Sequence, residues 1–407
     1  MRGINYYRFM SSRVNYVEPS PIREMVAKIA ARSKISQVIS FAAGDPDPDV
    51  IPRELYGEIM NRLFKEVRNI VVYSPTDGVP GLKDDIARYM ERYEGVNTSS
   101  DNIIVTLGGS QAIDLVGRIF LDPGDIVFME NPSYVNTILV WRQYGAMIIG
   151  IPIDDHGMRT DVLEDIAKKL KNSGKKLKLI YTIPTGQNPS GISMSIDRRK
   201  HLLEIANEHD LLIVEDGAYN LLVYEPIELR TIRSMDSYGR VIYVGSFSKI
   251  LGTGLRIGWI ESPTEISDKI RTAKGPTDMC PPVPSQYLVM ELLRNNILEE
   301  IRQRAIMEYR EKRDIMLSSI EKYLGGLKHT RPVAGMFILL WLPMGMDAHS
   351  FSEILLEKYN VAVIPATPFY TDGSGKNVIR LNFSQAKKTL IEEGIKRISI
   401  LLKEMAK

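Results

Sequence analysis

The stretch Val241-Ile242-Tyr243-Val244-Gly245-Ser246-Phe247-Ser248-Lys249-Ile250 ends an apolar run on one lysine beside two serines. Arg256 follows in Leu255-Arg256-Ile257-Gly258-Trp259. A strand of this kind delivers its last residues to the carboxyl end of a parallel sheet, where α/β proteins gather their chemistry. A lysine held there away from water loses proton affinity and becomes an amine that condenses with an aldehyde. Ser246, Ser248 and Arg256 are the donors that a phosphate monoester needs at its side. These residue types at this spacing suit a ligand that carries both an aldehyde and a phosphate.

Four further segments offer complementary groups. Gly108-Gly109-Ser110-Gln111-Ala112 opens a helical pattern after Ile103-Ile104-Val105-Thr106, and backbone N–H groups at such a turn approach an anion closely. Leu211-Leu212-Ile213-Val214-Glu215-Asp216 ends an apolar run on carboxylates, with Tyr219 beyond it. A carboxylate there is costly unless a cation such as a protonated pyridine meets it. Asn188, in Gly186-Gln187-Asn188-Pro189, carries an amide able to donate to a phenolate oxygen, and Tyr134, in Asn131-Pro132-Ser133-Tyr134, offers an aromatic face. Singly, each segment reads equally as a helix cap, an Asn-Pro turn or an exposed loop tyrosine. Together they supply a phosphate cradle, a stacking face, a phenolate donor, a pyridinium partner and a reactive amine. That is the set of groups pyridoxal 5′-phosphate requires.

Positioning these groups is the task of the elements between them. Short β-branched runs at 103–106, 126–130, 146–152, 177–183, 211–215, 241–245 and 257–261 alternate with amphipathic helical patterns such as 195–209. The alternation predicts an α/β fold with a mostly parallel seven-stranded sheet and helices on both faces. After residue 285 the pattern changes to a long helical stretch over 285–323, a helix near 350–359, strands at 361–365 and 378–383, and a final helix. This reads as a smaller α+β unit. The expected organisation is an arm and helix (22–31) within 1–44 that join the smaller unit, a large cofactor-binding domain over 45–284, and a small domain over 285–407.

A chain of 407 residues exceeds what one hydrophobic core usually serves. With 52 basic against 50 acidic residues, the net charge of +2 argues against a nucleic-acid or membrane-surface partner. Cys280 is the one cysteine, which excludes an intrachain disulfide and a zinc-thiolate cluster, and the five histidines show no metal-ligand spacing. No signal-like N-terminal run occurs, and no apolar stretch approaches the roughly 18 residues of a membrane helix. A cytoplasmic protein is expected.

From about residue 16 to its end the chain resembles the fold type I pyridoxal-phosphate aminotransferases of class I and II. The carriers are the Gly-rich turn, Asn188-Pro189-x-Gly191, Asp216-x-x-Tyr219, Ser246-x-Ser248-Lys249 and Arg380-Leu381, in the family's order. The resemblance implies that Lys249 carries the cofactor covalently, Asp216 pairs with its ring nitrogen, and Asn188 and Tyr219 address its ring oxygen. Gly109, Ser110, Gln111, Ser246, Ser248 and Arg256 would surround the phosphate, with Tyr134 on the ring face. Tyr73 would reach the phosphate of a neighbouring subunit, which implies a homodimer. Arg380 matches the arginine that grips the substrate α-carboxylate, and Gly44 would assist through its backbone. Pro21-Ile22-Arg23-Glu24, Tyr73-Ser74-Pro75-Thr76 and Arg331-Pro332-x-x-Gly335-Met336-Phe337 are similar to the 2-aminoadipate and kynurenine group, in which the arginine matching Arg23 contacts acidic side chains. Gly186 departs from a bulky apolar residue and predicts a more open pocket wall.

The expected activity is amino transfer between an α-amino acid and a 2-oxo acid such as 2-oxoglutarate. Its rivals are another pyridoxal-phosphate reaction on the same fold, such as β-lysis or racemisation, and a sensing domain without catalysis. The 43 residues before Gly44 are too few for the usual DNA-binding module of such a sensor.

Overall fold

In the computed structural model, which describes residues 4–228 and 230–406, the apolar runs of the middle of the chain form an eight-stranded sheet. Its order is Ile103–Thr106, Gly258–Glu261, Val241–Ser246, Leu212–Asp216, Leu177–Thr182, Ile126–Asn131, Met147–Asp154 and Gly157–Met158. Neighbours from Val241–Ser246 across to Met147–Asp154 pair in parallel, whereas Gly258–Glu261 runs against both of its neighbours. Seven strands are expected from the sequence; the eighth, Gly157–Met158, folds back on Ile153 and Asp154. A return of two residues leaves no periodic signal. Only its turn, with Gly157 at φ +93°, marks it.

Alternate side chains of one strand feed different cores. Ile126 and Phe128 join Leu163, Leu202 and Ala206, whereas Val127 and Met129 join Ile113, Val116 and Ile138. This alternation seats helices Thr160–Asn172 and Ile196–Glu208 on one face and Gly109–Phe120 and Val135–Gln143 on the other. Because both faces are covered, the strands read as continuous apolar runs.

A second sheet has Val378–Asn382 at its centre, antiparallel to both Phe337–Trp341 and Ile364–Pro365. Ile39–Ser40 pairs in parallel with Val361–Ala362, so the segment after the helix Pro21–Ser33 is tied to C-terminal elements. Two expected elements divide. The stretch 285–323 becomes the helices Val283–Arg294 and Ile297–Tyr323, broken where Asn296 takes φ +60°. Asparagine tolerates that left-handed conformation better than most residues. The run 361–365 splits because Val361–Ala362 pairs with Ile39–Ser40 and Ile364–Pro365 with Val378–Asn382. Among the described residues no helix is long and apolar enough to cross a membrane, and no cluster of side chains could hold a metal ion.

Candidate active site

The carboxyl ends of the large sheet face Phe337 and Arg380 of the small one, and between them lies a cavity of about 610 Å³. Asp216 and Ser246 are the last residues of their strands. Gly109, Ser110, Tyr134 and Asn188 follow the ends of three others, and all six line the cavity. Lys249, Tyr219, Ser248, Arg256, Gly44 and Arg23 join them.

One end of the cavity is built for an anion. The helix Gly109–Phe120 begins without a side-chain cap, so its first N–H groups are left for a partner from outside. Gly108 precedes it at φ +71°, and a Cβ there would lie 2.7 Å from Nη2 of Arg256. Arg256, itself left-handed at φ +55°, donates to the carbonyls of Leu107 at 2.9 Å and Thr253 at 3.1 Å. Its guanidinium is thereby fixed beside the helix start, with the hydroxyls of Ser110, Ser246 and Ser248 around the same space.

The middle of the cavity holds the amine and the carboxylate. Lys249 donates from Nζ to the Gly44 carbonyl at 2.8 Å. Its pKa is lowered, first by removal from water and then by the charges of Arg380 and Arg256; Asp45, then Asp216, oppose this. Asp216 is buried, and its carboxylate accepts from the Tyr181 hydroxyl at 2.7 Å and the Ala218 N–H at 3.1 Å. Desolvation still raises its pKa, a state that a cation placed against it would relieve.

The far wall carries Arg380, buried with only 2% of its surface exposed. Nη1 donates to Asn188 Oδ1 at 3.0 Å and Nη2 to the Ala42 carbonyl at 2.7 Å, while Nε has no partner among the described residues. The guanidinium lies 4.3 Å from the ring centre of Phe337 and 5.0 Å from that of Phe369. Burial pushes its pKa down to about 10, and the groups that favour its charge are Tyr219 and Tyr134 rather than a carboxylate. An uncompensated buried cation with an unused donor is a site for an anion brought from outside. Asn188 also points its amide nitrogen at the Tyr219 hydroxyl, 3.5 Å away. Burial lifts the Tyr219 pKa well above its ordinary value, which keeps the hydroxyl a donor.

Two expectations need correction. Gln111 does not line the cavity: its side chain accepts from the Leu107 N–H at 2.8 Å and donates to Asp278 at 2.7 Å, so it braces the loop instead of meeting an anion. Gly186 opens no pocket wall; at φ +58° its missing Cβ leaves room for the backbone of Gly335, 2.6 Å from where that atom would stand. Tyr73, expected to serve a neighbouring subunit, is 77% exposed and does not line this chain's own cavity. The Gly186 geometry makes a prediction: Gly186→Ala should cost about 2 kcal/mol or more of stability, from left-handed strain plus the backbone clash. Urea unfolding that left the midpoint unmoved would refute it.

The sequence does not single out Asp45, which lines the cavity and exerts the largest charge effect on Lys249. It stands next to Gly44, and that adjacency is its one signal. Tyr181 sits inside a strand and shows no signal at all. Phe337 and the helix residues Ile22, Val26, Ala27 and Ala30 add to the lining as ordinary apolar positions.

The family model described as "Aminotransferase class I and II" matches residues 36–398. An aromatic-amino-acid aminotransferase of Thermococcus litoralis is 38% identical, over 99% of this chain and 96% of that protein. Among solved structures, an archaeal alanine:glyoxylate aminotransferase superposes with a TM-score of 0.97 at 46% identity, covering 98% of this chain and all of the other. The α-aminoadipate aminotransferase of Thermus thermophilus, complexed with N-(5′-phosphopyridoxyl)-L-leucine, gives 0.91 at 32% identity over 99% of each chain.

Proposed function

This chain belongs to the class I and II aminotransferases, and we propose that it moves the amino group of an α-amino acid with a large side chain, 2-aminoadipate or an aromatic one, to a 2-oxo acid such as 2-oxoglutarate. Its cofactor is pyridoxal 5′-phosphate. When bound, that group supplies the aldehyde that takes up nitrogen and a ring that draws electrons from the substrate α-carbon. The carrying observation is the presence, in one cavity, of an amine with lowered proton affinity and a buried guanidinium whose Nε–H has no partner among the described residues.

In this reading Gly109, Ser110, Ser246, Ser248 and Arg256 hold the phosphate, Asp216 faces the ring nitrogen, Tyr134 covers the ring, and Asn188 and Tyr219 address the ring oxygen. Arg380 receives the substrate α-carboxylate, and its fork geometry fixes the α-carbon before Lys249. Lys249 Nζ, with its proton affinity lowered, takes the proton from the α-carbon as base and returns one as acid. The Gly44 carbonyl aims the amine, a different service from the contact with substrate that resemblance implies. Residues 45–284 would form the cofactor-binding unit, with 1–44 and 285–407 closing the substrate side. We place the enzyme in the cytoplasm as a homodimer. The exposed Tyr6, Tyr7, Phe9, Val71, Val72 and Tyr73 support a buried contact with a second copy, through which Tyr73 reaches the other phosphate.

The apolar lining from Ile22, Val26, Ala27 and Ala30 suits a long or aromatic side chain, while exposed Arg23 on the same helix suits an acidic one. Arg23→Ala should lower kcat/KM for acidic substrates by about 1.5–3 kcal/mol and leave aromatic substrates almost untouched. A uniform loss would make Arg23 structural, and no loss would return it to the solvent. A second reading, exchange between alanine and glyoxylate, is favoured by the likeness to the archaeal enzyme of that name. A panel of donors, each tested with 2-oxoglutarate and glyoxylate, separates the two. Elimination or racemisation without amino transfer would overturn both.

A further inference from the structure

We infer that Tyr181 is a positioning residue for Asp216: from the neighbouring strand its hydroxyl holds the carboxylate in orientation and in its charged state, without itself lining the cavity. The inference rests on the reading above, in which Asp216 faces the ring of pyridoxal 5′-phosphate.

Tyr181 lies one residue before the end of Leu177–Thr182 and pairs with Val214, two residues before Asp216 on the adjacent strand. It is fully buried, with its ring edge-on to Trp141 at 5.5 Å and 79°. Trp141 is fixed in turn by donating from Nε1 to the Ile113 carbonyl at 2.9 Å. The tyrosine ring therefore cannot swing, and its hydroxyl is committed to Asp216 Oδ2 at 2.7 Å. Oδ1 accepts from the Ala218 N–H at 3.1 Å. One donor on each oxygen sets the plane of the carboxylate.

Charge state follows from the same contact. Burial, and the carboxylate beside it, push Tyr181 well above the ordinary phenol range, so its hydroxyl stays protonated and always donates. A permanent donor favours the ionised form of Asp216 against the burial that disfavours it. The other titratable groups that act on or feel Asp216 are Lys249, Glu130 of the strand Ile126–Asn131, Tyr134 and Tyr219. Of the side chains around Asp216, Tyr181 makes the direct hydrogen bond. A phenylalanine would fill the same volume without it.

The test compares wild type, Tyr181→Phe, Asp216→Asn and the double variant. Each apoprotein is titrated with pyridoxal 5′-phosphate, and each holoenzyme's visible band is followed against pH. Tyr181→Phe should weaken cofactor affinity on the order of tenfold, as expected for losing a hydrogen bond to a charged group. It should also move the pH midpoint of the band toward that of Asp216→Asn. On the Asp216→Asn background the same change should alter neither reading. Unchanged affinity and midpoint in the single variant, or an equal loss on both backgrounds, would overturn the inference. A wild-type protein that binds the cofactor but transfers no amino group would overturn the proposed function instead, and the affinity comparison would stand.

Discussion

Replacement of Lys249 by alanine should lower amino transfer by roughly 10⁴-fold or more, the upper range of what a positioned proton-transfer group contributes. The protein should also lose the visible band of the bound cofactor. Among the described residues Lys249 is the one lysine that lines the cavity, and its amine is already aimed by the Gly44 carbonyl at 2.8 Å. Removal from water gives it a larger unprotonated fraction at neutral pH than a surface lysine has. Borohydride treatment of the wild-type holoenzyme, followed by peptide mapping, should find the cofactor on a peptide containing Lys249; label on any other lysine would sink the assignment.

Asp216→Asn comes next in size. The substitution keeps the shape and at least one hydrogen-bond acceptor but removes the charge. Cofactor should still bind, while proton abstraction from the substrate slows about 10³-fold, near 4 kcal/mol of lost transition-state stabilisation. The apoprotein offers a control on folding. Because burial raises the Asp216 pKa above its unfolded value, this group favours the fold below the unfolded pKa, and that contribution is lost as pH rises through the folded one. At neutral pH an amide there should leave the apoprotein at least as stable to heat as wild type. Near-normal single-turnover rates would show that the carboxylate does not meet the ring, and a less stable apoprotein would contradict the electrostatic account.

The sequence carried the elements that announce themselves by period and left out those set by distant partners. Strand runs such as Val241–Ser246 are apolar up to their last residue because helices cover both faces, and that continuity is readable. The break at Asn295-Asn296 depends on a single left-handed residue inside a long amphipathic stretch, and no periodicity reports it. The same division runs through the site. Lys249, Asp216 and Asn188 stand at strand ends, where chemistry is expected. Asp45 acts on Lys249 through its charge and Tyr181 bonds Asp216, each across more than thirty residues of chain, which is invisible without the fold. Gly186 shows the opposite hazard. A small residue in a loop suggests open space, yet here it marks the close approach of another backbone.

Arg380 is held at once by the Ala42 carbonyl and the Asn188 amide, 338 and 192 residues distant in the chain. Each contact closes a very long loop, and the entropy of closure must be met before the contact returns anything. The clamp proposed for the substrate carboxylate is therefore a property of the finished fold: on that proposal, a chain with only its large sheet assembled would offer an anion site at the helix Gly109–Phe120 but no grip on an amino acid. A substrate that needs the clamp recognises the completed chain alone, and by mass action it draws the folding equilibrium toward that form.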